Sequence, residues 1–434
     1  MTTIYGDFMA LLKKNTSLLL LCLISCITYG QAAETLTLQK ALQLAIENNP
    51  SLAEMQARSD AMADIPLQLA TLPDPVVSLN ALNLPTDNFD LDQENMTQLQ
   101  AGFSQLLPFP GKLELREEGG THEAQAAAHS VIEARWLLLR DVEKAWWSLV
   151  YLDHALNIIA TNQGLLQQFV DIAQSKYQVG QGLQQDVLLA QLEFSKLLDN
   201  TLSLEAARDG VRARLNRLID RSANQLIKLP ITPVDRLPVL KKEAELFAFA
   251  DAHRALLAVK RESVKAARSR LALAKKDFYP DVNVGAFYSV RDDMPNGQDR
   301  ADFLSLRLSM SVPIFTDTKQ QKAVDQRNKE VLQKKFSLRD ASNRVHSQIS
   351  TAYSQYQKSR QQVQLFKTGI IPQARQTVAS MLAGYQVDKV DFLNLVRSQI
   401  ILYNYEIQYW KALTEAKQVL AQLMAVVGKE DIYE

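Results

Sequence analysis

Along most of the chain, apolar residues return every three or four positions, the spacing of one face of an α-helix. In two places the period falls to two. Residues 36–70 keep the helical period except at Asn48-Asn49-Pro50, where Asn stops one helix and Pro allows another to start. Pro73-Asp74-Pro75 then opens an extended run over 76–84, and a stretch rich in Asp and Asn leads to a second over 97–107. In that second run Leu99, Ala101, Phe103 and Leu107 alternate with Gln98, Gln100, Gly102 and Ser104. The pattern recurs after Pro280-Asp281. There Val282, Val284, Ala286, Tyr288 and Val290 alternate with Asn283, Gly285, Phe287 and Ser289. Beyond a loop at Met294-Pro295-Asn296-Gly297, Leu304, Leu306, Leu308, Met310 and Val312 alternate with Ser305, Arg307, Ser309 and Ser311. One apolar face and one small polar face over about ten residues is the pattern of a membrane-spanning β-strand; a half-buried soluble sheet has the same period. Four strands cannot close a barrel, and open edges are not tolerated in hydrocarbon, so strands of this kind in a membrane require an oligomer. Three chains would supply about twelve, an even number of the sort that closes outer-membrane barrels.

Each strand pair ends in proline, at Leu107-Pro108-Phe109-Pro110-Gly111-Lys112 and at Val312-Pro313-Ile314-Phe315, and the chain re-enters helix. These helices are long. Leu138, Val142, Ala145, Leu149, Leu152, Leu156, Ile159, Gln163, Leu166, Val170, Ala173 and Tyr177 step by four and three, a heptad seam with one polar break. Val187, Ala190, Phe194, Leu197, Thr201, Leu204, Arg208, Val211, Leu215 and Leu218 continue it after a turn. The later half runs from Ile349 through Tyr356 and Val363 to Ile370, is disturbed at Pro372, and resumes from Leu395 to Val426. A sustained period of about 3.5 calls for supercoiled helices packed knobs into holes, each roughly 60 Å long or more. The seams are thin and rich in Gln, Ser and Asn neighbours, so these hairpins need lateral partners on one side and water on the other.

The two halves are copies. YQVGQGLQQDVLLAQ from Tyr177 and YQVDKVDFLNLVRSQ from Tyr385 share Tyr, Gln, Val and the closing Gln at a shift of 208 residues, and Pro280-Asp281 answers Pro73-Asp74 at 207. A shift this long marks duplicated halves rather than a short solenoid repeat. In both copies a helix precedes the Tyr and another comes after it, with Gly180 and Gly182, or Gly384 and Asp388, at the turn. The motif is therefore the tip of a long helical hairpin. The expected organisation is a first repeat over 36–228, a Pro-rich crossover over 229–239 and a second repeat over 240–428.

Charge removes some classes of function. Acidic and basic residues balance at 48 each, which leaves no electrostatic footprint for nucleic acid. The two cysteines, Cys22 and Cys26, both fall in an apolar N-terminal run, so the mature domain has no disulfide framework. Lys13 and Lys14, the apolar run over 17–27 and the small residues up to Ala33 form a secretory signal too short for a comfortable membrane span. Two processing routes fit: cleavage after Ala32, giving a signal peptide over 1–32, or a lipobox at Leu23-Ile24-Ser25-Cys26, giving a signal over 1–25 and lipidation of Cys26. His122, His129, His154, His253 and His346 have no metal-ligand spacing, and no phosphate loop or nucleophile elbow is present, so neither enzyme chemistry nor a cofactor is expected. Trp146-Trp147 read as packing anchors, and the acidic residues over 87–94 and at Asp292-Asp293 read as solvated loop charge.

The signal sequence, the duplicated strand-pair-plus-hairpin halves, Asn48-Asn49-Pro50 and the Tyr-Gln-Val-Gly tip together resemble the TolC-like outer-membrane factor family over about residues 36–428. Phe109-Pro110-Gly111-Lys112 resembles the branch that serves heavy-metal efflux pumps. The resemblance implies a mainly α fold with a membrane β-barrel part: a homotrimer with a twelve-stranded barrel in the outer membrane of a Gram-negative bacterium, continuous with an α-helical periplasmic tunnel. It also implies docking on a periplasmic membrane-fusion adaptor and an inner-membrane pump of the resistance-nodulation-division type. A type I secretion duct, or a periplasmic coiled-coil adaptor or scaffold, is the alternative. In the family, an acidic residue nine beyond one tip Tyr pairs with a basic residue just after the other. Asp186 matches the acidic place, but Val390 stands at the basic one, with Lys389 beside it; Asn394 and Arg397 stand where some members carry an acidic ring. The resemblance places the gate at the tips, at Tyr177, Gly180, Asp186, Tyr385, Lys389, Asn394 and Arg397, with Asp186, Tyr385 and Lys389 expected to hold it closed.

Overall fold

The computed structural model describes residues 35–230 and 236–433. The signal sequence and Cys26 lie outside them, as do residues 231–235 of the crossover. The first half opens with α1 (Leu38–Asn48), α2 (Pro50–Ala63) and α3 (Ile65–Ala70). Strands β1 (Val76–Leu82) and β2 (Gln98–Leu107) come next, then the long helix α4 (Lys112–Gln178) and the return helix α5 (Gln184–Leu218). The second half repeats this order with α6 (Glu243–His253), α7 (Ala255–Lys276), β3 (Val282–Val290) and β4 (Phe303–Met310). Its long helix is broken into α8 (Gln321–Leu365), a π-helical turn at Phe366–Ile370 and α9 (Ile371–Gln386), and α10 (Phe392–Val427) returns. A further π-helical turn, Thr316–Gln320, leads into α8.

The strands form one antiparallel sheet in the order β1-β2-β3-β4, with Val76 opposite Ser104, Gly102 opposite Phe287 and Ala286 opposite Leu306. Each strand runs directly into one helix, and those helices neighbour one another in the same order, α3 on α4, α4 on α7 and α7 on α8. The helical wall is thus a continuation of the sheet. The outward face carries the apolar residues that the alternation assigns to it, Leu79, Leu99, Phe103, Tyr288, Leu304, Leu306 and Leu308, all exposed, with Leu306 at 82%. The opposite face holds Gln100 and Ser289, buried and joined by a 3.1 Å hydrogen bond. It is not uniformly small and polar as expected, because Phe287 is buried there at 5% exposure, under the Arg307 guanidinium 4.2 Å away. The ring occupies the space left by Gly102, where a methyl would fall 2.2 Å from it.

The helix lengths depart from expectation. Helix α4 has 67 residues, about 100 Å, but the return helices α5 and α10 have 35 and 36, about 53 Å, short of the expected 60 Å. The upper part of α4 is covered instead by α2, α3 and α7, so the return helices stop where those begin. At that level Leu138 to Val150 of α4, including Trp146 and Trp147, form a core with Ala41, Ala45, Leu215, Leu218 and Ile219. A matching core in the second half gathers Leu246, Leu257, Val345, Ile349, Tyr356, Ala416, Leu423 and Val427. Most seam residues are buried or half-buried, Tyr177 being exposed, and two pairs join its polar members to partners: Gln163 donates to Thr201 at 3.0 Å, and Arg208 to Asp153 at 2.5 Å.

Candidate functional site at the hairpin tips

Both tips end their first helix in the same hydrogen-bonded turn. In the first, Gln181 N–H reaches Lys176 carbonyl at 2.8 Å and Gly180 N–H reaches Tyr177 carbonyl at 3.0 Å, with Gly180 left-handed at φ 74°. In the second, Lys389 N–H reaches Gly384 carbonyl at 2.9 Å and Asp388 N–H reaches Tyr385 carbonyl at 3.2 Å, with Asp388 at φ 54°. This is the Schellman closure that glycine favours, and an L residue in it costs roughly 1–2 kcal/mol, least for Asp and Asn. The turns also pack reciprocally. Lys176 faces Gly182 in one tip; Gly384 faces Val390 at the corresponding places of the other, where a methyl on Gly384 would fall 2.5 Å from Val390. Large and small have changed sides.

The two tips of one protomer pack on each other. Phe169, Val170 and Ala173 of α4, Ala190 and Leu197 of α5, Tyr385 of α9 and Phe392, Leu395 and Val396 of α10 form a single core. Tyr385 is buried at 7% against Phe392, 5.3 Å between rings, whereas its counterpart Tyr177 is 47% exposed. Buried Gln399 donates to Asn162 across the same junction at 2.7 Å. Lys389, Asn394 and Arg397 are exposed on the second hairpin.

The expected grouping of Asp186 with Tyr385 and Lys389 is only partly realised within the protomer. Asp186 lies in the first turn of α5, its carboxyl pushed up by burial and by the nearby Asp391 carboxylate, and the Tyr385 hydroxyl is pushed up by burial and by Asp186, Asp388 and Asp391, against Lys176. The cation at this junction is Lys176, which the sequence pattern does not single out. Its ammonium pairs with Asp388, lies 3.5 Å from the Tyr385 carbonyl and sits 4.5 Å from the Tyr385 ring centroid. The Asp388 hydrogen bond raises the Lys176 pKa. A lone Lys beside a turn carries no periodic signal; its one mark in the sequence is Gly at the equivalent place of the other half.

The Phe109-Pro110-Gly111-Lys112 motif lies at the junction of sheet and helices. Lys112, 3% exposed, reaches Asp281 at 2.9 Å, the Tyr279 carbonyl at 3.3 Å and Asp277 at 3.3 Å, while Phe109 N–H donates to Asp281 at 2.7 Å. Phe109 stacks on Tyr279 with centroids 4.5 Å apart. The motif clamps the start of α4 to the α7–β3 connection. At the far end of the sheet, Arg300 donates to the Asp92 carbonyl at 2.8 Å and Arg291 to the Asn95 carbonyl at 3.4 Å, tying the two loops together. Among the described residues no group of His, Cys, Asp and Glu is placed to hold a metal ion. His122 bonds Glu262 at 2.8 Å, His154 stacks on Trp410 at 3.4 Å and His346 bonds Asp251 at 3.1 Å.

A sheet with an exposed apolar outer face, continued strand by strand into a wall of long helices that ends in two turns, is the architecture of an outer-membrane channel chain. The chain belongs to the outer membrane efflux protein family, whose model matches residues 41–220 and 249–429. It is 22% identical over 411 residues to the cobalt-zinc-cadmium resistance protein CzcC of Cupriavidus metallidurans, covering 92% of this chain and 91% of that one. Its fold matches the outer membrane protein VceC of Vibrio cholerae with a TM-score of 0.76 at 16% identity, over 90% of this chain and 96% of that one. It also matches the open state of the Neisseria gonorrhoeae MtrE outer membrane channel with a TM-score of 0.70 at 16% identity, over 91% and 89%. The protein is placed in the outer membrane with its helices in the periplasm, and it is a passive conduit, not an enzyme.

Proposed function

We propose that the chain is one third of a homotrimeric exit duct. The observation that carries this reading is the sheet's two open edges: among the described residues β1 pairs with β2 alone and β4 with β3 alone, while the outward side chains of both are exposed and apolar. In hydrocarbon each unpaired backbone group costs several kcal/mol, so β4 of one copy must pair with β1 of the next. Three copies of four strands close a twelve-stranded barrel, and the helices below them, in the same order, close the tunnel. The two repeats, over 36–228 and 240–428, supply equivalent halves of each copy's share of that wall and are joined by the crossover at 229–239. The tips form its periplasmic end, where Tyr177, Gly180, Asp186, Tyr385, Lys389, Asn394 and Arg397 ring the aperture and a periplasmic adaptor of an inner-membrane pump docks. By its likeness to CzcC, the cargo is a divalent transition-metal cation delivered by that pump. The test is deletion and complementation in the host: loss of the gene should sensitise cells to cobalt, zinc or cadmium, with the protein found as a trimer in the outer-membrane fraction. A soluble monomer would overturn the duct. An outer-membrane trimer whose loss leaves metal tolerance unchanged would overturn the cargo.

A further inference from the structure

The clamp built on Lys112 has a counterpart in the other half of the duplication, and the parts of that counterpart lie at opposite edges of the sheet. Residues of β1 answer those of β3 at a shift of 207 and residues of β2 answer those of β4 at 205, because these shifts carry the pair Val76–Ser104 onto the pair Asn283–Ser309. The helices beyond keep the shift of 207: Leu138, Val142 and Leu149 of α4 map onto Val345, Ile349 and Tyr356 of α8, and all six are buried. Two extra residues between Pro313 and Lys319, compared with Pro108 to Lys112, make up the difference.

By these shifts Asp281 answers Asp74, Tyr279 answers Leu72, Phe109 answers Ile314 and Lys112 answers Lys319. The first set is assembled within the chain, where β2 meets β3: Asp281 accepts the Phe109 N–H at 2.7 Å and Lys112 at 2.9 Å, and Phe109 stacks on Tyr279. The second set is divided. Leu72 and Asp74 lead into β1 at one edge, Ile314 and Lys319 follow β4 at the other, and all four are exposed. Among the described residues neither Asp74 nor Lys319 has an ion-pair partner, and the Ile314 N–H has no acceptor.

We propose that a second copy of this chain completes the counterpart clamp: Asp74 of one copy accepts Lys319 and the Ile314 N–H of its neighbour, Leu72 packs on Ile314, and β1 and β4 pair in the register of β3 and β2. This rests on the duct reading and names the contacts by which copies recognise one another head to tail. The transferred register sets Met310, Leu308 and Leu306 opposite Val77, Leu79 and Ala81, as Gln105, Phe103 and Ala101 stand opposite Val284, Ala286 and Tyr288. All six of the transferred positions are exposed in the single chain, and a slip of one residue would turn one strand's apolar row to the other face. One part is not repeated. Asp277, the second carboxylate at Lys112, has Ala70 in its place, so the clamp between copies depends on Asp74 alone for its anion.

The experiment follows the loss of trimer from the detergent-solubilised full-length protein at a fixed raised temperature, read by electrophoresis. Lys319→Glu and Asp74→Lys should each speed dissociation roughly tenfold, between the effects of breaking an exposed and a buried pair. Combining the two should recover most of that loss, with a remainder because Asp74→Lys leaves the Ile314 N–H without its acceptor. Lys319→Arg should behave as the parent. Register is read separately, by mild oxidation of membranes carrying Leu79→Cys with Leu308→Cys. Within one chain these two positions are three strand spacings apart, about 14 Å, so a disulfide joins copies. Covalent trimers should form, and Leu79→Cys with Leu306→Cys, one diagonal step away, should link about fivefold less. Single variants that dissociate at the parental rate, or a combined variant no better than the worse single one, would overturn the ion pair while leaving the duct intact. Preferred linking through position 306 would overturn the register. A parent protein that runs as a monomer would remove the duct reading and this inference with it.

Discussion

Asn49 and Arg254 stand at the same turn of the two halves, with the same backbone (φ −65°, ψ 116° and φ −64°, ψ 115°), and meet the same capping need by different means. Asn49 accepts the Leu52 N–H at 3.0 Å and donates to the Leu218 carbonyl at 2.9 Å. Arg has no acceptor, so Glu133 of α4 accepts the Leu256 N–H at 3.2 Å and receives Arg254 at 2.5 Å. Replacing Asn49 with Ala should destabilise the helical part by about 1–2 kcal/mol, read in thermal unfolding. Glu143 offers a pH test. Burial first, and Glu430 second, push its carboxyl from 4.5 to about 7, with Lys417 opposing. A carboxyl raised in the fold binds its proton more tightly there, so its contribution to stability is lost as pH rises from 4.5 through about 7. Glu143→Gln should therefore stabilise the protein at pH 8, on the order of 2 kcal/mol, and have little effect near pH 4. Equal effects at both pH values would contradict it. In the sheet, Gly102→Ala has no room beneath Phe287, and the expected result is loss of folded, protease-resistant protein from the outer membrane; Phe287→Ala in the same chain should recover part of it.

Among the elements, the long helix of the second half shows how one residue decides continuity. Pro372 removes a donor in the helix interior and the chain gains a π-helical turn, while Gly164 in the matching place of α4 only weakens a helix that stays whole. Pro372→Ala should restore the missing hydrogen bond and slow amide exchange over residues 366–372, a stabilisation of about 1 kcal/mol since the turn already absorbs part of the strain. The clamp at Lys112 is the other element-scale device. Its ammonium is buried between Asp277 and Asp281, on the stretch where the sheet passes into the helices. Lys112→Met should cost about 2 kcal/mol, toward the low side for a buried pair because both carboxylates keep some access to water, and the loss should appear as easier unfolding of the start of α4 in hydrogen exchange.

For the whole molecule, the duct reading together with the matched order of strands and helices makes closing the barrel and closing the tunnel one event. The exposed apolar faces of β1 and β4, with Leu79 at 83% and Leu304 at 71%, stay uncovered in a single chain. Detergent-solubilised protein should therefore have three times the mass of one chain by light scattering, each chain being 48.8 kDa before any processing. Arginine placed at Leu306 should reduce membrane assembly by about 2–4 kcal/mol per copy. A native mass of one chain would contradict the closed barrel.

Period and punctuation in the sequence were enough for the strands to within two residues, for the seam that becomes the cores, and for the two turns at Tyr177 and Tyr385, because each of these is set by local geometry and by which face is apolar. The partner of Lys176, the substitution of Glu133 for a capping side chain, the burial of Phe287 on a polar face and the early stop of the return helices were not legible there. Each depends on what other elements bring alongside, a residue across the hairpin junction, a neighbouring strand or one of several helices that cover α4, and alternation along one chain contains no term for what lies across from it. The duplication made two similar tips; only their packing against each other made them unlike, with Tyr385 enclosed, Tyr177 open and one lysine spanning the gap.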